Sequence, residues 1–158
     1  MVLEVLHVDN HILVVHKPAC VPVVPDISGD ESLFDQAKAW LKHEYNKPGE
    51  VFLGVVHRLD RPVSGVVVFA RTSKGASRLS ASWRENAVEK KYIARSKGHL
   101  PAGAPRSGEW RMWLTKDSKR NLVLVGKSEK AKLAITKWRI LAEDPKGTLL
   151  ELQPLTGR

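Results

Sequence analysis

The chain carries the stretch HRLDRPVSG at residues 57–65, between two short apolar runs at residues 51–56 and 66–70. Both runs are rich in β-branched side chains, and such runs predict buried strands. The stretch therefore places an imidazole, a guanidinium and a carboxylate on a loop between two core strands. Loops held by a rigid scaffold are where folds commonly carry catalytic groups.

Apolar periodicity predicts a set of short strands and two helices in the rest of the chain. Ser32 is the expected N-cap of the first helix, whose apolar residues recur at helical spacing. Many short strands with few helices indicate an α+β domain, with a largely antiparallel mixed sheet and two or more helices. The strands are expected at residues 3–8, 11–16, 51–56, 66–70, 88–96, 110–114, 122–125, 131–142 and 148–152, and the helices at 33–44 and 74–86.

Length and composition predict one soluble domain in the cytoplasm. The chain has 158 residues, of which 42% are hydrophobic, and no apolar run approaches the roughly 18 residues that a membrane span needs. The first eight residues lack the features of a secretory signal. Cys20 is the single cysteine, which excludes an intrachain disulfide and a multi-cysteine zinc site. We therefore expect neither a membrane nor a metal as partner.

The charge balance indicates a polyanionic partner. The chain has 26 Lys and Arg against 17 Asp and Glu, which gives a formal net charge of +9. An excess of this size is typical of proteins that bind nucleic acids, although charge alone is also compatible with simple solubility.

Four segments together resemble a known family. HRLD at residues 57–60, followed by Ser64-Gly65 and an apolar strand, resembles the signature of the RluA-type RNA pseudouridine synthases. Val63 stands where that family usually has Thr, and Cys20 where it usually has Gly. The other three segments occur in the same order as in the family: VVHKPA at residues 14–19 with VPV at 21–23, KYIA at 91–94, and LQPLTGR at 152–158.

The resemblance also suggests an extent for the domain. It runs from about Leu3 to Arg158, whereas the family continues after its Thr-Gly-Arg segment. We therefore expect residues 1–158 to form a single catalytic domain whose C-terminal portion is missing, without a separate N-terminal RNA-binding domain.

The reaction implied by the resemblance is the isomerisation of uridine to pseudouridine in RNA. The N-glycosidic bond breaks, the uracil turns over, and a carbon–carbon bond forms from C5, so no cofactor or metal is expected. The essential aspartate of the family corresponds to Asp60. A carboxylate can act in this reaction as a nucleophile or as a base, and the sequence leaves both roles open.

The resemblance assigns roles to further residues. Tyr92 is expected to stack on the target base, and Arg158 to be the cationic partner of the aspartate, so both are candidate catalytic residues. Arg58 is expected to enter the RNA helix in place of the flipped nucleotide. His57 is expected to order the loop rather than to transfer protons. The candidate RNA-binding residues are Arg58, His57, Lys17, Arg61 and Lys91.

Alternation along a strand limits the basic residues that can share a surface. Lys90 and Lys91 should point to opposite faces, so at most one of them lies on the face of Tyr92. Four tryptophans are expected to pack in the core or on strands rather than to bind RNA, namely Trp83, Trp110, Trp113 and Trp138.

Several alternatives stay open. The chain could be a non-catalytic RNA-binding module, a truncated and inactive fragment, or a basic adaptor for other proteins. The sequence does not distinguish ribosomal from transfer RNA as the substrate, nor does it identify the uridine. A monomer is the working expectation for the oligomeric state.

Overall fold

The computed structural model describes residues 3–117, 120, 122–126 and 128–156, which form two compact units, Met1–Glu85 and Asn86–Arg158. Each unit is built on its own sheet, and every strand pairing in the described part of the chain is antiparallel. The predicted α+β class is confirmed. Whether the two units act as one catalytic domain stays a prediction.

The first unit contains a four-stranded sheet and two helices. The predicted strands and helices occur near their expected positions, which are Glu4–Val8 (β1), Ile12–Lys17 (β2), Leu33–Glu44 (α1), Gly54–Val55 (β3), Gly65–Ala70 (β4) and Ser73–Arg84 (α2). The strands lie in the order β1-β2-β4-β3, so β2 and β4 are central.

The core of this unit forms where α1 covers the central strands. The helix presents Leu33, Ala37 and Leu41 at a spacing of four residues, and all three are buried. Ser32 is the N-cap, as predicted: its hydroxyl accepts from the backbone N–H of Asp35, whose carboxylate accepts from Ser32 in return. The sheet contributes the buried side chains Leu13, Val15, Val67 and Phe69.

The strand predicted at residues 51–56 is much shorter than expected, because only Gly54 and Val55 pair with β4. Helix α2 packs closely at this point. A Cβ added to Gly54 would lie 2.9 Å from the Cβ of Ala76 in α2, a distance that real side chains do not reach. A glycine is therefore required there. The strand ends at Val55, and residues 56–64 form a long loop before β4.

The second unit is a five-stranded antiparallel sheet. Its strands are Tyr92–Ser96 (β5), Ser107–Asp117 (β6), Leu122–Val125 (β7), Lys132–Asp144 (β8) and Gly147–Pro154 (β9), and they lie in the order β5-β9-β8-β6-β7. β5 starts four residues later than predicted, whereas β6 extends three residues beyond its expected range at each end.

The strand register defines the two faces of this sheet. Tyr92, Leu152, Trp138 and Gly108 are successive partners across β5, β9, β8 and β6, so they lie on one face. We call this surface the Tyr92 face. The opposite face carries paired charges, including Arg139, which donates to both carboxylate oxygens of Glu151 at 2.8 and 3.1 Å.

Among the described residues, no helix is both long and apolar enough to span a membrane.

Candidate functional site

Asp60 lies on the loop between β3 and β4, and its side chain is exposed. The backbone carbonyl of Asp60 accepts from the N–H of Val63 at 3.0 Å, which closes a tight turn. Within the described part of the chain, its carboxylate has neither a hydrogen bond nor an ion pair. The backbone thus forms the turn without using the carboxylate, which stays available for an incoming group.

Lys17 anchors this loop to the interior of the first unit. Its side chain is completely buried, and Nζ donates to the backbone carbonyls of Pro18 at 3.1 Å, Val21 at 2.7 Å and Arg61 at 3.0 Å. Three acceptors match the three donors of an ammonium group. Desolvation by burial lowers the pKa of Lys17, with nearby Arg61 acting in the same direction and Asp60 in the opposite one.

The burial of Lys17 corrects the expectation that it contacts an RNA phosphate. All of its donors are directed at backbone carbonyls inside the protein, and its side chain does not reach solvent. The residue instead joins the segment after β2 to the residue that follows Asp60.

Arg61 is held by its backbone and by its side chain. Its carbonyl accepts from Lys17 and also from the backbone N–H of Cys20 at 2.8 Å. Its guanidinium donates to Ser28 Oγ at 2.8 Å, lies 3.4 Å from the Asp26 carboxylate, and binds the Asp30 carboxylate. Cys20 adopts a left-handed backbone conformation with φ of 68°, which suits the glycine that the family usually has there.

The pairing of Arg61 also changes its expected role. The hydrogen bond to Asp30 is the largest of the effects that raise the pKa of Arg61, and it lowers the pKa of Asp30. The pKa of Asp26 is lowered first by its hydrogen bonds with Ser28 and then by Arg61. Because two carboxylates already neutralise this guanidinium, the phosphate contact predicted for Arg61 is replaced by an internal one. We call the contacts of Arg61 with Asp26, Ser28 and Asp30 the clamp.

The acidic loop that forms this clamp was missed by the sequence analysis. Its signal is the spacing Asp26-x-Ser28-x-Asp30, in which Asp26 accepts from the backbone N–H and hydroxyl of Ser28 at 2.9 and 2.5 Å. Such a pattern predicts a local turn. It does not show that the turn faces a residue more than 30 positions later.

His57 anchors the start of the loop. Its Nε2 accepts from the backbone N–H of Val68 in β4 at 2.9 Å, and its ring stacks on Trp83 of α2 with centroids 4.6 Å apart and an interplanar angle of 16°. The side chain is half-buried. An imidazole used as an acceptor and packed on an indole fits the expected role in ordering the loop.

Arg58 follows directly and is exposed. Its guanidinium forms no ion pair or hydrogen bond with another described residue. Its guanidinium is free to meet a ligand from solvent. Of the cations flanking Asp60 on this loop, Arg58 is the one that is exposed and unpaired among the described residues.

Tyr92 is the first residue of β5 in the second unit and is half-buried on the Tyr92 face. Lys91 lies on the opposite side: its Nζ is 3.1 Å from a Glu89 carboxylate oxygen, and its charge contributes to lowering the pKa of Glu151, which is on the opposite face. The sequence predicted that at most one of Lys90 and Lys91 shares a surface with Tyr92. The contact expected from Lys91 beside Tyr92 is therefore corrected.

Arg158 and Gly157 lie outside the described residues, so the predicted cationic partner of Asp60 has no structural account. The segment that leads to them is fixed to β8. Thr156 accepts through Oγ1 from the backbone N–H of Ile135 at 3.1 Å, and Leu155 donates to the Ile135 carbonyl at 2.9 Å.

The charge is divided unequally between the two units. Residues 1–85 contain ten Lys and Arg and ten Asp and Glu, whereas residues 86–158 contain 16 and seven. The whole net charge of +9 is therefore carried by the second unit. Across the described ranges, no group of three or more His, Cys, Asp or Glu residues is arranged to hold a metal ion.

Comparison with known proteins places this geometry in a family. The model of the RNA pseudouridylate synthase family matches residues 11–158. The chain belongs to this family. It is similar to the dual-specificity RNA pseudouridine synthase RluA of Haemophilus influenzae. The two are 30% identical over an alignment of 162 residues, which covers 99% of this chain and 67% of that protein. It also resembles the ribosomal large subunit pseudouridine synthase C of Vibrio cholerae, with 31% identity over 159 residues, 98% of this chain and 45% of that protein.

A solved structure supports the fold of this RluA-type pseudouridine synthase chain. Human RNA Pseudouridylate Synthase Domain Containing 4 superimposes with a TM-score of 0.78 and 27% identity, covering 98% of this chain and 60% of the human chain. The chain thus spans between about half and two thirds of the length of the relatives it matches. The predicted RluA-type family is confirmed.

Proposed function

We propose that the full-length protein is an RNA pseudouridine synthase that isomerises a uridine in ribosomal or transfer RNA. Family membership supports the reaction class. The observation that carries the proposal is the state of Asp60: its carboxylate is exposed and unpaired among the described residues. Its loop is anchored before Asp60 by His57 and after it by the contacts of Arg61 with Lys17 and Cys20. A reactive group that must meet a substrate atom gains from such fixed placement.

The reaction needs a group that can engage the sugar or the base while the glycosidic bond breaks. The bond between C1′ and N1 breaks, a bond between C1′ and C5 forms, the proton leaves C5, and N1 gains a proton. Nothing is oxidised or reduced. The Asp60 carboxylate serves either as the nucleophile that holds one fragment or as the base that removes a proton. No cofactor or metal takes part in this scheme.

The remaining site residues are proposed to handle the RNA. Arg58 occupies the space that the target nucleotide leaves when it is extruded, since a planar cation stacks on bases and also pairs with phosphate. Tyr92 stacks on a base. Arg158 is proposed as a cation that stabilises the Asp60 carboxylate. We further propose that the protein acts in the cytoplasm as a monomer, with residues 1–158 belonging to one catalytic domain.

Tritium release from RNA labelled as [5-³H]uridine tests the proposal, because the hydrogen on C5 is lost only when the new bond forms. The full-length wild-type protein should release tritium, and Asp60→Ala should release none while binding the same RNA. Asp60→Asn, which keeps the size of the side chain, separates charge from shape. Normal turnover by Asp60→Ala would refute the role of the aspartate. Salt-dependent RNA binding without product by the wild type would favour a non-catalytic RNA-binding module.

A further inference from the structure

Trp110 and Trp138 form a stacked aromatic pair on the Tyr92 face. Their ring centroids are 5.4 Å apart and the ring planes differ by 23°, so the two indoles are stacked. Trp138 lies flat over the backbone of Gly108, where an added Cβ would come within 3.0 Å of the indole. The glycine therefore permits this placement, and the stacked partner Trp110 remains 40% exposed.

The pair is close to Tyr92 within the same sheet. Tyr92, Leu152 and Trp138 are successive partners on β5, β9 and β8, so Tyr92 and Trp138 are two strands apart, which is about 10 Å. All three side chains are on the same face. One continuous single strand of RNA can reach both aromatic positions.

The charge around the pair suits a polyanion. Lys116 also lies on the Tyr92 face, because it is an even number of residues from Gly108 along β6. Lys132 on β8 lies there as well, because its register partner Leu114 is also an even number of residues from Gly108. Neither lysine forms an ion pair with a described carboxylate. By contrast, the described arginines of this unit are each paired with an acidic residue, as in Arg95–Asp144 and Arg139–Glu151.

We propose that the Trp110–Trp138 pair is a stacking site for an unpaired base that flanks the target uridine, with Lys116 and Lys132 contacting the adjacent phosphates. The inference rests on the proposed RNA substrate and extends it: the recognised segment is single-stranded next to the uridine. Aromatic side chains bind unstacked bases with little regard to their identity, and lysines supply a charge that tracks the backbone. The tryptophans, assigned to packing from the sequence alone, thereby gain a binding role.

Two tryptophans of β6 provide a matched comparison. Trp110 and Trp113 are 40% and 41% exposed, and because they are three residues apart they lie on opposite faces. Binding of a dye-labelled single-stranded oligoribonucleotide to the full-length protein is measured by fluorescence anisotropy. Trp110→Ala should raise Kd by about 5-fold or more, Trp113→Ala should change it less than twofold, and Trp110→Phe should restore most of the affinity.

Two lysines of β8 provide the second comparison. Lys132 lies on the Tyr92 face and Lys137 on the opposite one, and both are exposed. Lys132→Ala should reduce the slope of log K against log salt by about 0.7, which corresponds to one phosphate contact on a single strand. Lys137→Ala should leave the slope unchanged. Equal effects of the two substitutions would contradict the proposed placement of the RNA on the Tyr92 face.

The outcomes separate this inference from the proposed function. If Trp110→Ala leaves RNA affinity unchanged but lowers the melting temperature or changes the oligomeric mass, then protein covers this face and the inference is wrong. If the wild type binds RNA through Trp110 but releases no tritium, the proposed reaction fails while the stacking site stands. Tritium release that is unaffected by Trp110→Ala at limiting RNA would refute the stacking site alone.

Discussion

The Nζ of Lys17 lies 3.0 Å from the backbone carbonyl oxygen of Arg61, the residue that follows Asp60 in the chain. Two segments that are 44 positions apart are thus joined at the loop that carries the candidate reactive carboxylate. The lysine motif near the N-terminus and the aspartate motif in the middle of the chain form one structural unit through this contact.

Replacing Lys17 with Met should destabilise the first unit and lower turnover together. The methionine fills similar space but leaves three carbonyls without their donor, so we expect a loss of about 3 kcal/mol in the free energy of unfolding. Urea denaturation measures this loss, and kcat for tritium release reports the displacement of the loop. Lys38→Met removes a surface ion pair with Glu50 and should cost less than about 1 kcal/mol. Similar losses for the two variants would contradict the anchoring role.

Arg58 and Arg61 should differ sharply in what their replacement changes. Arg58→Gln should raise Kd for RNA, because this guanidinium is exposed and unpaired within the described part of the chain. Arg61→Gln should leave Kd within about twofold but lower kcat by roughly 10- to 100-fold, since the clamp positions the neighbouring Asp60. Separate measurements of Kd and kcat test the distinction. A large rise in Kd for Arg61→Gln would show that Arg61 leaves its carboxylates for a phosphate.

Acid should release the clamp between Arg61 and the acidic loop. The pKa values of Asp26 and Asp30 are lowered below 3.8 by their partners, so their contribution to stability is complete above that value and is lost as the pH falls through the folded-state pKa. An NMR titration of the two carboxyl groups should show midpoints below 3.8. In Arg61→Gln both midpoints should move upward, with Asp30 moving more because Arg61 is the main cause of its shift. Unchanged midpoints would rule out the clamp in solution.

His57 should contribute through its acceptor nitrogen. β3 is only two residues long, and the imidazole takes the place of a strand carbonyl for the N–H of Val68. His57→Phe keeps an aromatic ring against Trp83 but leaves that N–H unpaired, so we expect a loss of about 1 kcal/mol in the free energy of unfolding. His57→Gln retains an acceptor and should recover part of the loss in urea denaturation. Equal stability of His57→Phe and the wild type would assign the residue to ring packing alone.

Local patterns predicted most of the elements. The amphipathic spacing and the Ser32 cap gave α1 its observed ends, and β-branched runs located β2, β4 and β7. The ends of β5 and β6 were less accurate because pairing with neighbouring strands, rather than composition, sets where a strand stops. Ser107 and Gly108 lie outside the strand predicted at residues 110–114, yet they pair with Arg139 and Trp138.

The features of the site that the sequence could not predict depend on contacts between residues that are far apart in the chain. Lysine is among the residues least often fully buried, so a phosphate contact was the natural expectation for Lys17. Its burial depends on three carbonyls brought together by folding, one of them 44 residues away. The pairing of Arg61 is not predictable from the sequence for the same reason, since Asp30 reaches it only in the folded state. Strand alternation is local, and the sequence predicted that Lys90 and Lys91 lie on opposite faces. It did not predict which of the two shares the face of Tyr92.

Cys20 combines an exposed side chain with a backbone N–H that is bonded to the Arg61 carbonyl, and it is the only cysteine among the 158 residues. A maleimide fluorophore would therefore attach at one position, beside the loop that carries Asp60. Its emission could report on substrate docking in real time, without any engineered attachment point.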